Sequence, residues 1–277
     1  MPELPEVETM VRGLRMVMEG RRIQSVRVFD PFLLEKVSRR RFEQTLTGKR
    51  VRRIWRKGKW VVIELAGGFS AVIQPRMTGG FRASMDGNRP AHSRILFRVD
   101  GPHHHVWFCD TRRLGRVALV DEVELAAKLS ADHHGPEATD ITATELAAAL
   151  AGTKRPIKAA LLDQRVVSGI GNIYADESLF DARIHPERRA NQLTAAEVRK
   201  LCRSIRRIIR LAISMQGTTM RNYFNVFGEA GSFQDRHRVY GRKDDPCVRC
   251  KTPIVRANID GLLGRSTHYC PTCQRHE

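Results

Sequence analysis

Two cysteine pairs near the C-terminus, CVRC at 247–250 and CPTC at 270–273, constrain this chain most, with nineteen residues between them. CxxC pairs at such spacing form the two knuckles of a tetrahedral zinc site. The segment is too short to stay folded on apolar burial alone, since below about 40 residues a domain usually needs a disulfide, a metal or a partner. Four thiolates on one zinc supply on the order of 10 kcal/mol of folding free energy. With Cys247, Cys250, Cys270 and Cys273 as ligands, no position is left for a catalytic water, so the expected cofactor is one structural Zn2+. KTPIVRANIDGLLGRSTHY between the pairs reads as a β-hairpin with its turn near Asp260–Gly264 and Arg265 as its cation. Cys109 and Cys202 stand apart and read as buried small apolar residues. This usage suits a reducing compartment better than a disulfide framework.

The other 246 residues before Cys247 change pattern once. PEVETMVRGLRMVMEG is a helix: Pro5 suits a first turn, Val7, Val11, Leu14 and Val17 recur at helical spacing, and Gly20 stops it. RRIQSVRVF, KRVRRIW, KWVVIEL, SAVIQP, RILFRV, HVWFC and RVALV then read as strands between Gly-rich or polar turns. After residue 121 strands vanish: DEVELAAKLS, TATELAAALAG, RPIKAALLDQ, NIYADESLFDAR and TAAEVRKLCRSIRRIIRLAISMQG are helical. The expected fold is α+β and multidomain. A β-rich domain fronted by a helix spans 1–125, a helical domain 126–240, and the zinc hairpin 241–277.

Charge narrows the function. Lys and Arg number 48 against 30 acids, a net +18, which points to a polyanionic partner. Residues 36–59 hold eleven Lys/Arg and one Glu, and residues 183–210 hold nine and two. One basic run in each proposed domain suggests a cleft with two positive walls for nucleic-acid phosphates. SGIGNIYADE sets Gly169 and Gly171 before a helix starting near Asn172, an anion-site arrangement that Lys154, Arg155 and Lys158 could flank. The first twenty residues contain no apolar core of a secretory signal, and no uncharged apolar run is long enough to span a bilayer.

PELPEVET, RKGKWVVIEL, QPRMTG, DTRRLG, LLDQRVVSGIGNIYADESLF, HPERRA and VYGRKDDPC with the four-Cys ribbon occur together over nearly the whole chain. In this combination the sequence resembles the bacterial formamidopyrimidine-DNA glycosylases. The resemblance implies a β-sandwich with a leading helix, a helix–two-turn–helix domain and a zinc hairpin. It implies excision of oxidised purines such as 8-oxoguanine and formamidopyrimidines from double-stranded DNA, then strand cleavage at the abasic site, by a monomeric cytoplasmic enzyme associated with the nucleoid through DNA.

The same resemblance assigns residues. The nucleophile would be the amine of Pro2, exposed once Met1 is removed. An α-amine has a pKa of about 8, so much of it is neutral at physiological pH, and a secondary amine on sugar C1′ gives an iminium that is cationic without a proton. Glu3 would be the general acid/base and Glu6 would orient the site. Lys59 would donate a proton in β-elimination, and Arg265 would act in δ-elimination and phosphate contact. His92, Arg112, Lys158 and Asn172 match phosphate-contacting positions. Met77, Arg112 and Leu114 would fill the hole left by the flipped base, and NVFGEAGSFQ, with Glu229, Gly231 and Ser232, resembles the loop that closes over the lesion.

Two departures stand out. Position 114 is Leu where the family usually has Phe, and Leu cannot stack on a base as a ring can. The zinc hairpin is longer than usual, which bears on where Arg265 sits. Leu4 favours this branch over endonuclease VIII, which typically reads PEGPE. Two alternatives are an endonuclease VIII-like glycosylase for oxidised pyrimidines, which Leu114 favours, and a non-catalytic protein that binds damaged DNA.

Overall fold

The computed structural model describes residues 2–220, 223–259, 262 and 264–276. The chain divides into two compact units, one of residues 1–130 with 215–232 and one of 131–214 with 233–277. The segment 215–232, placed by sequence in the helical domain, thus returns to the first unit.

In the first unit, helix α1 (Leu4–Met18) starts with a capping box: Glu3 receives the Glu6 N–H, and the Glu6 carboxylate receives the Glu3 N–H at 2.8 Å. Its apolar stripe (Val7, Met10, Val11, Leu14, Val17 and Met18) is buried in the core. Strands β1 (Ile23–Val28), β2 (Leu34–Glu35), β3 (Val51–Lys57), β4 (Trp60–Leu65), β5 (Phe69–Gln74), β6 (Gly79–Ser84), β7 (Ser93–Val99), β8 (His105–Asp110) and β9 (Arg116–Asp121) form two sheets. Their orders are β1-β7-β8-β6 and β2-β9-β5-β4-β3. Inward-facing Val26, Val28, Ile54, Ile63, Ile73, Phe81, Phe97 and Phe108 meet between the sheets, as the alternation along each strand requires. A second apolar cluster, Val62, Val72, Ala118 and Val120, lies on the other face of the five-stranded sheet beneath Leu125 and Leu129, the former on helix α3 (Glu122–Lys128).

Three elements of this unit escape the sequence reading. Helix α2 (Arg39–Leu46) lies inside the basic run and buries only Phe42 and Leu46. Strand β6 starts with two glycines, and β2 is two residues long.

The second unit is helical: α4 (Ala143–Ala151), α5 (Ile157–Leu162), α6 (Asn172–Ala182) and α7 (Ala195–Ser214). Between α5 and α6, Gln164 clasps the turn. Its Oε1 receives the Gly169 N–H at 3.0 Å, and its Nε2 donates to the Leu162 and Ile170 carbonyls at 3.1 and 3.0 Å. Gly169 holds φ +100°, which only glycine adopts without strain. Strands β10 (Val255–Asn258) and β11 (Ser266–Tyr269) form the antiparallel hairpin. The turn expected at Asp260–Gly264 lies partly outside the described residues.

Candidate active site

Pro2 and Glu3 sit where the chain enters α1. Pro2 is buried, and Glu3 and Glu6 are each 2% exposed. The Glu6 carboxylate works in two directions: one oxygen closes the capping box, and the other receives the Thr218 N–H at 2.7 Å. The Tyr223 hydroxyl donates to the Glu6 carbonyl at 3.2 Å. Burial first, and then the Glu6 charge, push the Tyr223 hydroxyl far above its ordinary pKa, so it stays a neutral donor. Gly217, at φ +80°, passes so close that a Cβ there would lie 2.5 Å from Glu6 Oε1. Two buried carboxyls, a proline and a loop from 200 residues away therefore meet at one helix start.

Lys59 is half-buried on the two-residue turn between β3 and β4, where Lys57 pairs with Trp60 and Gly58 has φ +54°. Glu8 ties this strand pair to α1, accepting from Arg56 at 2.9 Å and from Arg12 at 2.9 Å. Burial raises the Glu8 carboxyl, but Arg56 and Arg12 outweigh it and hold the group below its ordinary pKa. Glu8 thus anchors β3, the strand that leads into the turn carrying Lys59.

Met77 and Leu114 are 40% and 37% exposed. They stand on two turns, the β5–β6 turn and the turn after β8, and Asp110 joins both. Fully buried Asp110 accepts from Thr78 Oγ1, from the Arg112 N–H at 3.3 Å and from the Gly115 N–H at 2.7 Å. Thr78 Oγ1 in turn receives the Arg112 N–H at 3.0 Å. The two turns that carry Met77, Arg112 and Leu114 are thereby tied together, and all three side chains are exposed. His92 is exposed at φ +59°, and its carbonyl receives the Asp110 N–H.

Glu229 and Ser232 are exposed and Gly231 is buried. Asn225 organises this loop: its Oδ1 receives the Phe227 and Glu229 N–H groups, and its Nδ2 donates to Glu229 Oε2 and Gln216 Oε1. Arg82 donates to the Phe224 and Asn225 carbonyls, and Val226 packs on Gly13 of α1. A Cβ on Gly231 would lie 2.3 Å from the Gly217 carbonyl. The base of the loop is therefore firmly tied to α1 and β6.

In the second unit Lys154 and Arg155 are exposed, with Arg155 paired to Asp163 at 3.1 Å. Asn172, the first residue of α6, donates from Nδ2 to the Ser266 carbonyl at 3.0 Å. Lys158 departs from the expectation. Its ammonium is wholly buried, 2.7 Å from Asp176, and donates to the Ser266 carbonyl at 2.9 Å and Thr267 Oγ1 at 3.0 Å. Packed this way it cannot reach a phosphate; it locks α5 and α6 to β11. A lysine in a basic run gives no sign of such a partner in sequence. Arg265 is exposed, with its N–H on the Leu262 carbonyl.

The four cysteine Sγ atoms lie within 4.8 Å of one another. Cys247–Cys273 and Cys250–Cys270 separations are 3.9 and 3.4 Å, near the roughly 3.8 Å expected for sulfurs on a tetrahedral zinc at 2.3 Å. Backbone N–H groups of Arg249 and Cys273 point at Cys247 and Cys270 sulfurs, each at 3.4 Å. An all-sulfur set with backbone donors fits one structural zinc.

No helix among the described residues is long and apolar enough to cross a membrane. Residues 1–117 match the family description "Formamidopyrimidine-DNA glycosylase N-terminal domain", 134–223 match "Formamidopyrimidine-DNA glycosylase H2TH domain", and 244–275 match "Zinc finger found in FPG and IleRS". A formamidopyrimidine-DNA glycosylase of Desulfitobacterium hafniense is 40% identical over 277 residues, covering 99% of this chain and all of that protein. One of Listeria monocytogenes is 36% identical over 279 residues, again covering 99% of this chain and all of its own. The Lactococcus lactis enzyme in complex with DNA containing an abasic site superposes with a TM-score of 0.91 at 32% identity, over 99% of this chain and all of that one. Domain by domain and over its full length, this chain belongs to the formamidopyrimidine-DNA glycosylase family.

Proposed function

We propose that this chain is a bifunctional DNA glycosylase and abasic-site lyase of base excision repair, acting on oxidised purines such as 8-oxoguanine and formamidopyrimidines in double-stranded DNA. The observation that carries the reading is the buried start of α1, where Pro2 and Glu3 adjoin a Glu6 carboxylate bonded both to the helix start and to Thr218. With Met1 removed, the Pro2 nitrogen attacks sugar C1′, the N-glycosidic bond breaks, and the base departs with a proton. Glu3 exchanges protons with the opening sugar, and the product is an iminium between Pro2 and C1′. That cation acidifies C2′. Loss of the C2′ proton expels the 3′ phosphate, and a second elimination expels the 5′ phosphate. Lys59 and Arg265 are assigned proton transfer in these eliminations.

Met77, Arg112 and Leu114 fill the space of the flipped base, and Glu229, Gly231 and Ser232 border the lesion. His92, Arg112, Lys154, Arg155 and Asn172 contact phosphates, whereas buried Lys158 positions the elements that carry Asn172 and Arg265. When bound, zinc holds the hairpin rigid and takes no part in the chemistry. The protein works as a monomer in the cytoplasm, on the nucleoid. Borohydride should trap it on 8-oxoguanine:cytosine duplex, and an extra residue ahead of Pro2 should abolish trapping. Equal trapping of the extended protein refutes the mechanism.

Leu114 favours a second reading, oxidised pyrimidines as substrates. The Lactococcus lactis enzyme has been crystallised with DNA containing an oxidised pyrimidine. Comparing excision of thymine glycol with that of 8-oxoguanine decides between the readings. Salt-sensitive binding without any strand cleavage would instead mark a non-catalytic binder.

A further inference from the structure

Beside the turn that carries Leu114 stands an aromatic ring for which packing gives no reason. Phe32 is 62% exposed, yet it sits on a rigid mount. Pro31 opens a short 3-10 turn, Pro31–Leu33, that Asp30 caps by accepting the Phe32 N–H at 3.3 Å. Leu33, next in the chain, is fully buried and pins the mount to the core. Asp30 is gripped by both arms of Arg113, at 2.6 and 3.0 Å, with Arg94 at 3.6 Å. The Arg113 bonds, ahead of the opposing effect of burial, hold the Asp30 carboxyl below its ordinary pKa, so the clamp stays charged at neutral pH.

The ring is also next to the insertion turn. The guanidinium carbons of Arg113 and Arg116 lie 5.5 and 5.0 Å from its centroid, within cation–π range. Arg113 is the immediate neighbour of Leu114. Strand β2 runs parallel to β9 with Leu34 opposite Val117. Phe32 therefore precedes that paired position by two residues and Leu114 by three, at the same end of strands only about 4.8 Å apart. An exposed aromatic on a fixed backbone turn, flanked by two guanidiniums, is a surface on which nucleobases stack; the fixed turn lowers the ordering cost of such a contact. Leu114 offers no π-face, and Phe32 offers one on the same edge.

We propose that Phe32 is the base-stacking residue of this chain, packing against a base at or beside the position opposite the lesion and so contributing to binding and opposite-base preference. This rests on the reading of the insertion turn given above. The test uses full-length protein and duplexes carrying an uncleavable abasic-site analogue, with 2-aminopurine opposite it or one step to either side. The wild type should quench 2-aminopurine at one of these positions. Phe32→Ala and Phe32→Leu should lose that quenching and weaken binding roughly ten-fold, while Phe32→Trp retains both. Because the side chain is exposed, the variants should melt with the wild type. Variants that bind and quench like the wild type overturn the proposal, as does a Leu variant equal to wild type beside a defective Ala, which would indicate apolar bulk alone. The binding readout needs no excision, so a wild type that binds the analogue but releases no oxidised base would fail the functional reading while still deciding the role of Phe32.

Discussion

Replacing Lys158 by Met separates two accounts of this residue. As a surface phosphate contact it would matter for DNA and little for stability. In its observed place, the substitution leaves the Asp176 carboxylate buried, at 1% exposure, without its cation. Among the described residues Asp176 keeps the His268 N–H at 2.9 Å and the His268 ring at 3.3 Å, and the Ser266 carbonyl and Thr267 hydroxyl lose a charged donor. Breaking one side of such a pair costs about 3–5 kcal/mol. At roughly 2–4 °C per kcal/mol for a chain of this size, the thermal midpoint should fall by about 6–20 °C. Lys158→Met with Asp176→Asn should recover part of this, since a neutral amide leaves no orphan charge and its oxygen can still accept the His268 N–H. DNA affinity measured against salt is the companion assay: losing a phosphate contact lowers the slope by about 1, whereas losing a buried lysine leaves it unchanged. A melting shift under about 2 °C together with a reduced slope would refute the reasoning.

Other consequences can be checked in the same way. Gly217→Ala forces a methyl to within 2.5 Å of Glu6 Oε1 at φ +80°. Because that carboxyl is already held on both sides, we expect excision at least ten-fold slower, on the order of 1.4 kcal/mol or more in barrier; single-turnover kinetics would show it, and an unchanged rate would contradict the assigned role of Glu6. Asp110→Ala should release both turns that carry Met77, Arg112 and Leu114, weakening binding to abasic-analogue duplex more than to undamaged duplex; equal losses on both would count against it. His237 is pushed down to about 4, chiefly by burial, and His185 to about 4, by burial and then by His276. The unfolded chain thus binds more protons between about pH 6.5 and 4, so stability should be full above that window and fall by on the order of 1–2 kcal/mol per ring by pH 5; a flat profile from pH 7 to 5 would contradict it, and His237→Gln should flatten it in part. Chelation should release zinc and abolish the ordered hairpin, detected by a metal indicator and by proteolysis within 247–273.

What the sequence disclosed and what it hid follow from the range of the interactions. The strands around Val106–Phe108 and the apolar stripe of α1 were legible because burial imposes a period on neighbouring residues. Helix α2 was not, since only two of its residues face the core and arginines mask the period. Strand β6 hid behind Gly79 and Gly80, and a Cβ on Gly79 would lie 2.4 Å from the Pro75 carbonyl, so glycine there serves the turn. Among the candidate functional residues, Pro2, Glu3 and Glu6 of the first unit and the four cysteines of the second announce themselves through local motifs. Asp110, Tyr223 and Asn225 in the first unit, and Gln164 in the second, act on backbone groups that chain order does not reveal. Lys158 shows the converse: a cation in a basic run reads as surface until its partner, eighteen positions away at Asp176, is seen.

The central claim is that the N-terminal amine is the nucleophile. Borohydride-reduced adduct formed on 8-oxoguanine:cytosine duplex, digested and sequenced by mass spectrometry, addresses it directly. The account predicts the reduced sugar on the nitrogen of Pro2, in protein lacking Met1. An adduct on Lys59, or on any other lysine, with Pro2 unmodified would contradict it.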